Sequence, residues 1–328
     1  MALGSVRLSL YVYDGLVGSY TASDLKYTIN KNVIIGETNV VLEIAELTRD
    51  FLSVSFNDDY ISNTKWSTAI VEYFDENQTP YTFSNPQTFN FLAFDAYGYF
   101  EEGANPQLST DSLISSNEVY HLEGTAGKFP INAEGVGKVI IDSTTTQITD
   151  NGNSNQKIQY LNIPADSSEI KIYALDDSTL LKTIKITNIC EPKFTPYKVS
   201  FVNRLGGIQD VFFFKKSIET MSVTDETFKR NIINPGAPTY LTNVAQQNRY
   251  NVNAKTQIKL NTGFISENMN QTIEELFLSE NVWIKYESKT LPILPVTKEM
   301  TYKTSLNDNL TDYTIQFDFA FNKINNIR

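Results

Sequence analysis

The chain has 328 residues, 41% hydrophobic, 12% aromatic and 20% charged, a composition that excludes a wholly disordered protein and fits about two domains, or three. Lys+Arg 27 against Asp+Glu 38 leave a net charge of −11 and a pI near 4.7, a poor match for nucleic-acid phosphate, whose sequence-independent affinity comes from Lys and Arg. The single Cys190 excludes an intrachain disulfide and a multi-Cys metal site, and the single His121 excludes a multi-His centre and leaves a His-based triad only one base.

The segment Met1–Asp14 has no basic leader, and Arg7 and Ser9 interrupt its apolar run, so it does not read as a signal peptide. No window approaches the roughly 18 apolar residues of a membrane helix. Synthesis in a cytoplasm, with no membrane insertion, is the expectation. Val6, Leu8, Leu10 and Val12 alternate with polar and aromatic residues, which predicts a half-buried first strand. Over 43–52, Ile44, Leu47, Phe51 and Leu52 fall on one helical stripe, which predicts a short helix packed on a sheet. Phe89, Phe91, Phe94, Tyr97, Tyr99 and Phe100 then form an aromatic-rich block. His121 lies on an alternating run and reads as a surface or sheet histidine rather than a general base. Asp58-Asp59 and Asp75-Glu76 read as turn acids, since they lack the spacing of a calcium loop.

From about 135 the chain carries short β-branched runs at 138–141, 157–163, 169–174 and 181–187, with turn chemistry at Asn151-Gly152 and Asp176-Asp177-Ser178. Pro192 and Pro196 mark a hinge, because residues before proline are driven to extended backbone. Beyond it, Val211–Phe214 has no alternation, so its strand shows aromatics on both faces. Either the domain covers both, or one side meets another subunit. Residues 231–255 are rich in Asn and Gln, contain Pro235 and Pro238, and resemble a long exposed hairpin or arm. Met269, Ile273, Leu276 and Phe277 predict a second helix over 268–279, and Tyr313, Ile315, Phe317 and Phe319 a last half-buried strand.

The pattern predicts a mainly β protein built of sandwich or barrel modules, with one short helix on the sheet of each large domain. The expected divisions are 1–134 with helix 43–52, an Ig-like module over 135–191, and 192–328 with the arm and helix 268–279. No catalytic constellation, cofactor site or metal site is expected. The anticipated working surface is an interface of Phe212, Phe213, Phe214, Trp283, Pro235, Pro238 and Tyr240.

Four segments carry a resemblance: Pro192–Glu219 with its Asn203-Arg204-Leu205-Gly206-Gly207 turn, Val40–Leu52, Leu260–Ile265 with Ile273–Ile284, and Tyr313–Arg328. Together they resemble tail-associated virion structural proteins of tailed phages that infect Bacteroidetes and marine bacteria. The resemblance implies a distal-tail, baseplate or tail-ring subunit located in the virion. Its implied partners are copies of itself in a six- or twelve-fold ring and neighbouring tail proteins. The alternative is a receptor- or carbohydrate-binding tail module for a host surface glycan, with Trp66, Tyr81, Tyr97 and Tyr99 offered to sugar rings.

Overall fold

The computed structural model describes residues 3–33, 39–75, 83–104, 112–301 and 310–324. The protein is mainly β, with 51% of residues in strands and 8% in helices, and no sheet closes into a barrel among the described residues. The chain divides into two compact units. One comprises 1–190, 200–211 and 268–279; the other comprises 191–199, 212–267 and 280–328.

In the first unit, β1 (Leu3–Tyr13), β2 (Leu25–Asn32), β3 (Lys65–Asp75) and β4 (Phe83–Ala93) form an antiparallel sheet of order β2-β1-β3-β4. The alternation of β1 puts Val6, Leu8, Leu10 and Val12 inside. Ile44, Leu47 and Phe51 pack on Leu8, Leu10, Val12 and Ala69, so the predicted stripe does face a sheet. Its regular helix, α1, is only Ala45–Arg49. Ile44 occupies the N-cap without a side-chain bond to offer, and the Glu43 carboxylate instead accepts the Ala45 N–H at 2.8 Å.

Further along lie β5 (Glu118–Leu122), β6 (Gly127–Asn132), β7 (Lys138–Ile141), β8 (Thr144–Gln147), β9 (Ile158–Ile163), β10 (Glu169–Tyr173) and β11 (Leu180–Ile189). Five of them form a sheet of order β5-β11-β10-β7-β8, in which β5 and β11 run parallel; β6 and β9 pair separately. Phe129, Ile131 and Ile163 of the pair share one core with Val139, Ile170, Ile172 and Ile184 of the five-stranded sheet. This is the layered burial that makes a sandwich. The core includes Ile114, Val119 and Phe129, so it begins N-terminal of residue 134.

A seven-stranded sheet is made from β12 (Tyr197–Val202), β13 (Ile208–Phe213), β14 (Ile218–Lys229), β15 (Gln247–Ser266), β16 (Val282–Tyr286), β17 (Lys289–Pro295) and β18 (Leu310–Phe319), in the order β13-β12-β16-β17-β18-β15-β14, and its strands β14 to β18 belong to the second unit. The chain changes unit within β12 and β13, since residues 200–211 count with the first unit. Helix α2 (Asn270–Leu278), which buries Ile273 and Leu276, also belongs to the first unit. Phe213, Ile258, Leu260, Ile284, Ile293, Ile315 and Phe317 are buried in the second unit, and the Phe213 and Phe317 rings meet edge to face at 6.0 Å.

Candidate interaction surface

The hairpin β14–β15 contains the longest wholly exposed strand among the described residues. All twelve residues of β14 are exposed, and β14 lies at the sheet edge, hydrogen-bonded only to β15. The twenty-residue β15 has two halves. Residues 257–266 pair with β18 on one side, while 247–259 pair with β14 on the other. The distal half, from Ala254 to Gln247, is thus chiefly a two-stranded ribbon, roughly 25 Å long at ~3.4 Å per residue. Near its base the Ala254 carbonyl accepts the Lys323 N–H at 2.7 Å.

Two-stranded ribbons are marginal on their own, and this one is held by cross-strand side chains. Arg249 Nε donates to Asp225 at 2.6 Å, Phe228 and Tyr250 meet edge to face at 5.7 Å, and Asn251 donates to Glu226 at 3.3 Å. The Tyr250 hydroxyl also bonds Glu226, which holds that carboxyl below the ordinary range and pushes the phenol up. A bulge between Thr224 and Glu226 faces Asn251, whose φ of 51° is left-handed, a conformation asparagine tolerates.

The tip is built by turn chemistry. In Asn234-Pro235-Gly236-Ala237 the proline presets φ, Gly236 takes φ 83°, and the Ala237 N–H donates to the Asn234 carbonyl at 3.3 Å, the pattern of a type II turn. The Asn234 N–H donates to the Thr239 carbonyl at 2.9 Å, and Ile233 bridges to Tyr240. From Asn231 to Asn248 no residue is charged. Ile233, Tyr240 and Leu241 stand 60%, 61% and 58% exposed on this neutral tip.

The expected interface residues therefore separate into two sets. Pro235, Pro238 and Tyr240 lie on the exposed arm. Phe212, Phe213, Phe214 and Trp283 are buried by the chain itself, at 8%, 0%, 2% and 9% exposure, which corrects the expectation that they anchor another subunit. The aromatic run shows both faces because both are covered within the fold. Sequence reasoning placed the arm through its Pro, Asn and Gln content but missed Met221, Val223 and Phe228 of β14, which are 58%, 47% and 49% exposed. An alternating Met221-Val223 pattern looks like an inward face until the neighbouring strand is known.

Of the candidate sugar platforms, Trp66 donates its indole N–H to the Asn153 carbonyl at 3.0 Å, and Tyr81 falls outside the described residues. Tyr97 and Tyr99 turn toward Arg204 rather than forming an open shelf. His121 is 5% exposed, with Gly127 against its imidazole, and Cys190 is exposed at the end of β11. A separate cleft of about 480 Å³ lies in the first unit, lined by Asp58, Asp59, Tyr60, Lys128, Gln156 and Gln159 among others. Its floor is fixed: Tyr60 donates to Asp210 at 2.6 Å, its ring lies 5.4 Å from Tyr160, and Tyr160 accepts the Ile208 N–H at 2.9 Å. Burial and the Asp210 charge push the Tyr60 phenol far up, so it stays protonated.

Comparison with known proteins gives no match: no family model, no curated protein and no solved structure matches the chain. Among the described residues no helix is long and apolar enough to cross a membrane.

Proposed function

We propose that the protein is a structural subunit that assembles with copies of itself through the β14–β15 arm, as a ring-forming component of a phage tail. The single observation that carries the assembly reading is the arm: an exposed edge hairpin ending in an uncharged tip with Ile233, Tyr240 and Leu241 outward. Copies of a chain with net charge −11 repel one another, and a neutral apolar tip is a segment that can approach another copy without that cost. The long edge of β14 supports the same reading, because unpaired strand edges invite pairing with a further chain. An arm that docks on a different part of the next copy makes a head-to-tail contact, which closes into a ring where the rotation allows. The tail assignment rests on the resemblance of Pro192–Glu219 and its companion segments.

Replacing residues 231–245 by an Asn-Gly turn keeps Arg230 opposite Gln246 and leaves the rest of the hairpin register intact. The expected result is an unchanged far-ultraviolet circular dichroism spectrum, with mass photometry showing a monomer where the full chain forms oligomers. Full-size assemblies from the shortened chain would overturn the arm's role.

A second reading, saccharide recognition, rests on the cleft beside Tyr60 and Tyr160, whose carboxylates, amides and fixed rings are the usual equipment for sugar hydroxyls. Saturable binding on a glycan array that disappears in Gln159→Ala would favour it; a blank array would remove it.

A further inference from the structure

A buried polar cluster in the first unit contains both an unused donor and an unused acceptor. It joins the segment Asp95–Gly103, the turn after β12 and helix α2. Tyr97 donates its backbone N–H to the Arg204 carbonyl at 2.9 Å. The Arg204 guanidinium lies 4.7 Å from the centre of the Tyr99 ring and grips Glu102 through Nη2, at 2.8 Å to Oε1 and 3.2 Å to Oε2. Glu275, fully buried on α2, accepts the Arg204 backbone N–H at 3.4 Å through Oε2. Its Oε1 has no hydrogen-bond partner, and neither does Arg204 Nε. The Tyr97 and Tyr99 hydroxyls and the Thr272 hydroxyl, all buried, are unpaired as well.

Buried polar atoms left unpaired are costly, and several in one place mark either a second arrangement or enclosed water. The charges favour a second arrangement. Glu102 already occupies the guanidinium and Glu274 lies close to Glu275, so an ionised Glu275 would put a second carboxylate on the one cation with a like charge beside it. Burial favours the protonated form of Glu275 and lifts its carboxyl above the ordinary range, with Ser115, Arg204 and Glu274 also facing it. Nearby, the Lys182 Nζ donates to the Ile114 and Ser115 carbonyls, and Arg49 faces Asp95, whose backbone lies against Gly206 of the turn after β12.

We propose that Arg204 is a two-position latch: it holds Glu102 while Glu275 carries its proton, and moves to Glu275 once that carboxyl ionises, releasing the Tyr99–Gly103 turn. The proton leaves to water, Arg204 Nε finds Glu275 Oε1, and Glu102 is set free at the surface. The released turn carries Phe100, whose side chain is fully exposed. The device is independent of the assembly reading.

The test is hydrogen-exchange mass spectrometry on the full chain from about pH 4 to about pH 9, with rates corrected for the intrinsic pH dependence of exchange. Protection over residues 97–104 is expected to fall about tenfold for each pH unit above the Glu275 titration. Glu275→Gln holds the first position and keeps high protection at every pH. Glu102→Gln, on the surface, lacks the first seat and exchanges fast even at low pH. Equal protection of the wild-type segment at both ends of the range would overturn the latch, as would a Glu275→Gln chain that opens like the wild type. If Glu275→Gln does not fold, slow exchange in Glu102→Gln at low pH overturns it on its own.

Discussion

The two sets of aromatics make opposite predictions when truncated, and the pair Phe213→Ala and Tyr240→Ala separates core from interface. Phe213 is fully buried and meets Phe317 edge to face. Its truncation removes a whole ring from a close-packed site, which costs about 3–5 kcal/mol, of which ~0.5–1.5 kcal/mol is the ring–ring contact itself. Tyr240 is 61% exposed on the tip, so its truncation is expected to change folding stability by no more than ~0.5 kcal/mol. An aromatic anchor at an assembly contact is worth about 2 kcal/mol, and its loss weakens each contact about 30-fold. Urea unfolding can be followed by Trp283 fluorescence in a Trp66→Phe background, since Trp283 lies in the second unit with Phe213. Mass photometry across a dilution series reads assembly. A Phe213→Ala chain within ~1 kcal/mol of the parent would refute the assignment of that ring to the core. A Tyr240→Ala chain that assembles at the parent's concentration would refute its place in the contact.

Two further outcomes test local packing and charge. A Cβ at Gly127 would lie 2.5 Å from His121 Nε2, so Gly127→Ala is expected to cost about 1–3 kcal/mol by overpacking, and His121→Ala in the same chain to recover part of it; calorimetry of the two single variants and the double variant reads the coupling. Asp142 Oδ1 accepts from the Ser168 hydroxyl at 2.6 Å, the Ser168 N–H at 3.0 Å and the Glu169 N–H at 3.2 Å. The Ser168 side chain foremost holds this carboxyl below the usual range. A depressed folded-state value means stability that is present above the unfolded pKa of about 4 and fades as pH falls through the folded value. Asp142→Asn should therefore lower the urea midpoint more at pH 6 than at pH 3, and an equal deficit at both would contradict the bonding.

Much of the β architecture was legible because its signals are local. The alternation of Val6, Leu8, Leu10 and Val12 describes a surface with one wet side, and Asn234-Pro235-Gly236 specifies a turn with few competitors. The stripe of Ile44, Leu47 and Phe51 announced a helix resting on a sheet, but its length was less legible, since helix ends depend on caps and this one starts at an isoleucine. Burial of Phe212–Phe214 was not readable. An unbroken aromatic run says that both faces avoid water without saying what covers them. The Arg204 cluster was invisible for another reason: its bonds to Glu275 and Glu102 span 71 and 102 positions, and no spacing rule joins residues so far apart.

The long strand β15 also bears on how the molecule would carry a load. Antiparallel ladder bonds stand perpendicular to their strands, so traction on the tip along the axis of β15 presses on its whole ladder with β18, from Gln257 to Ser266, in shear. Those bonds would have to yield together instead of parting one by one from an end. A hairpin rooted in this manner behaves as a stiff tether, able to hold a neighbour under tension.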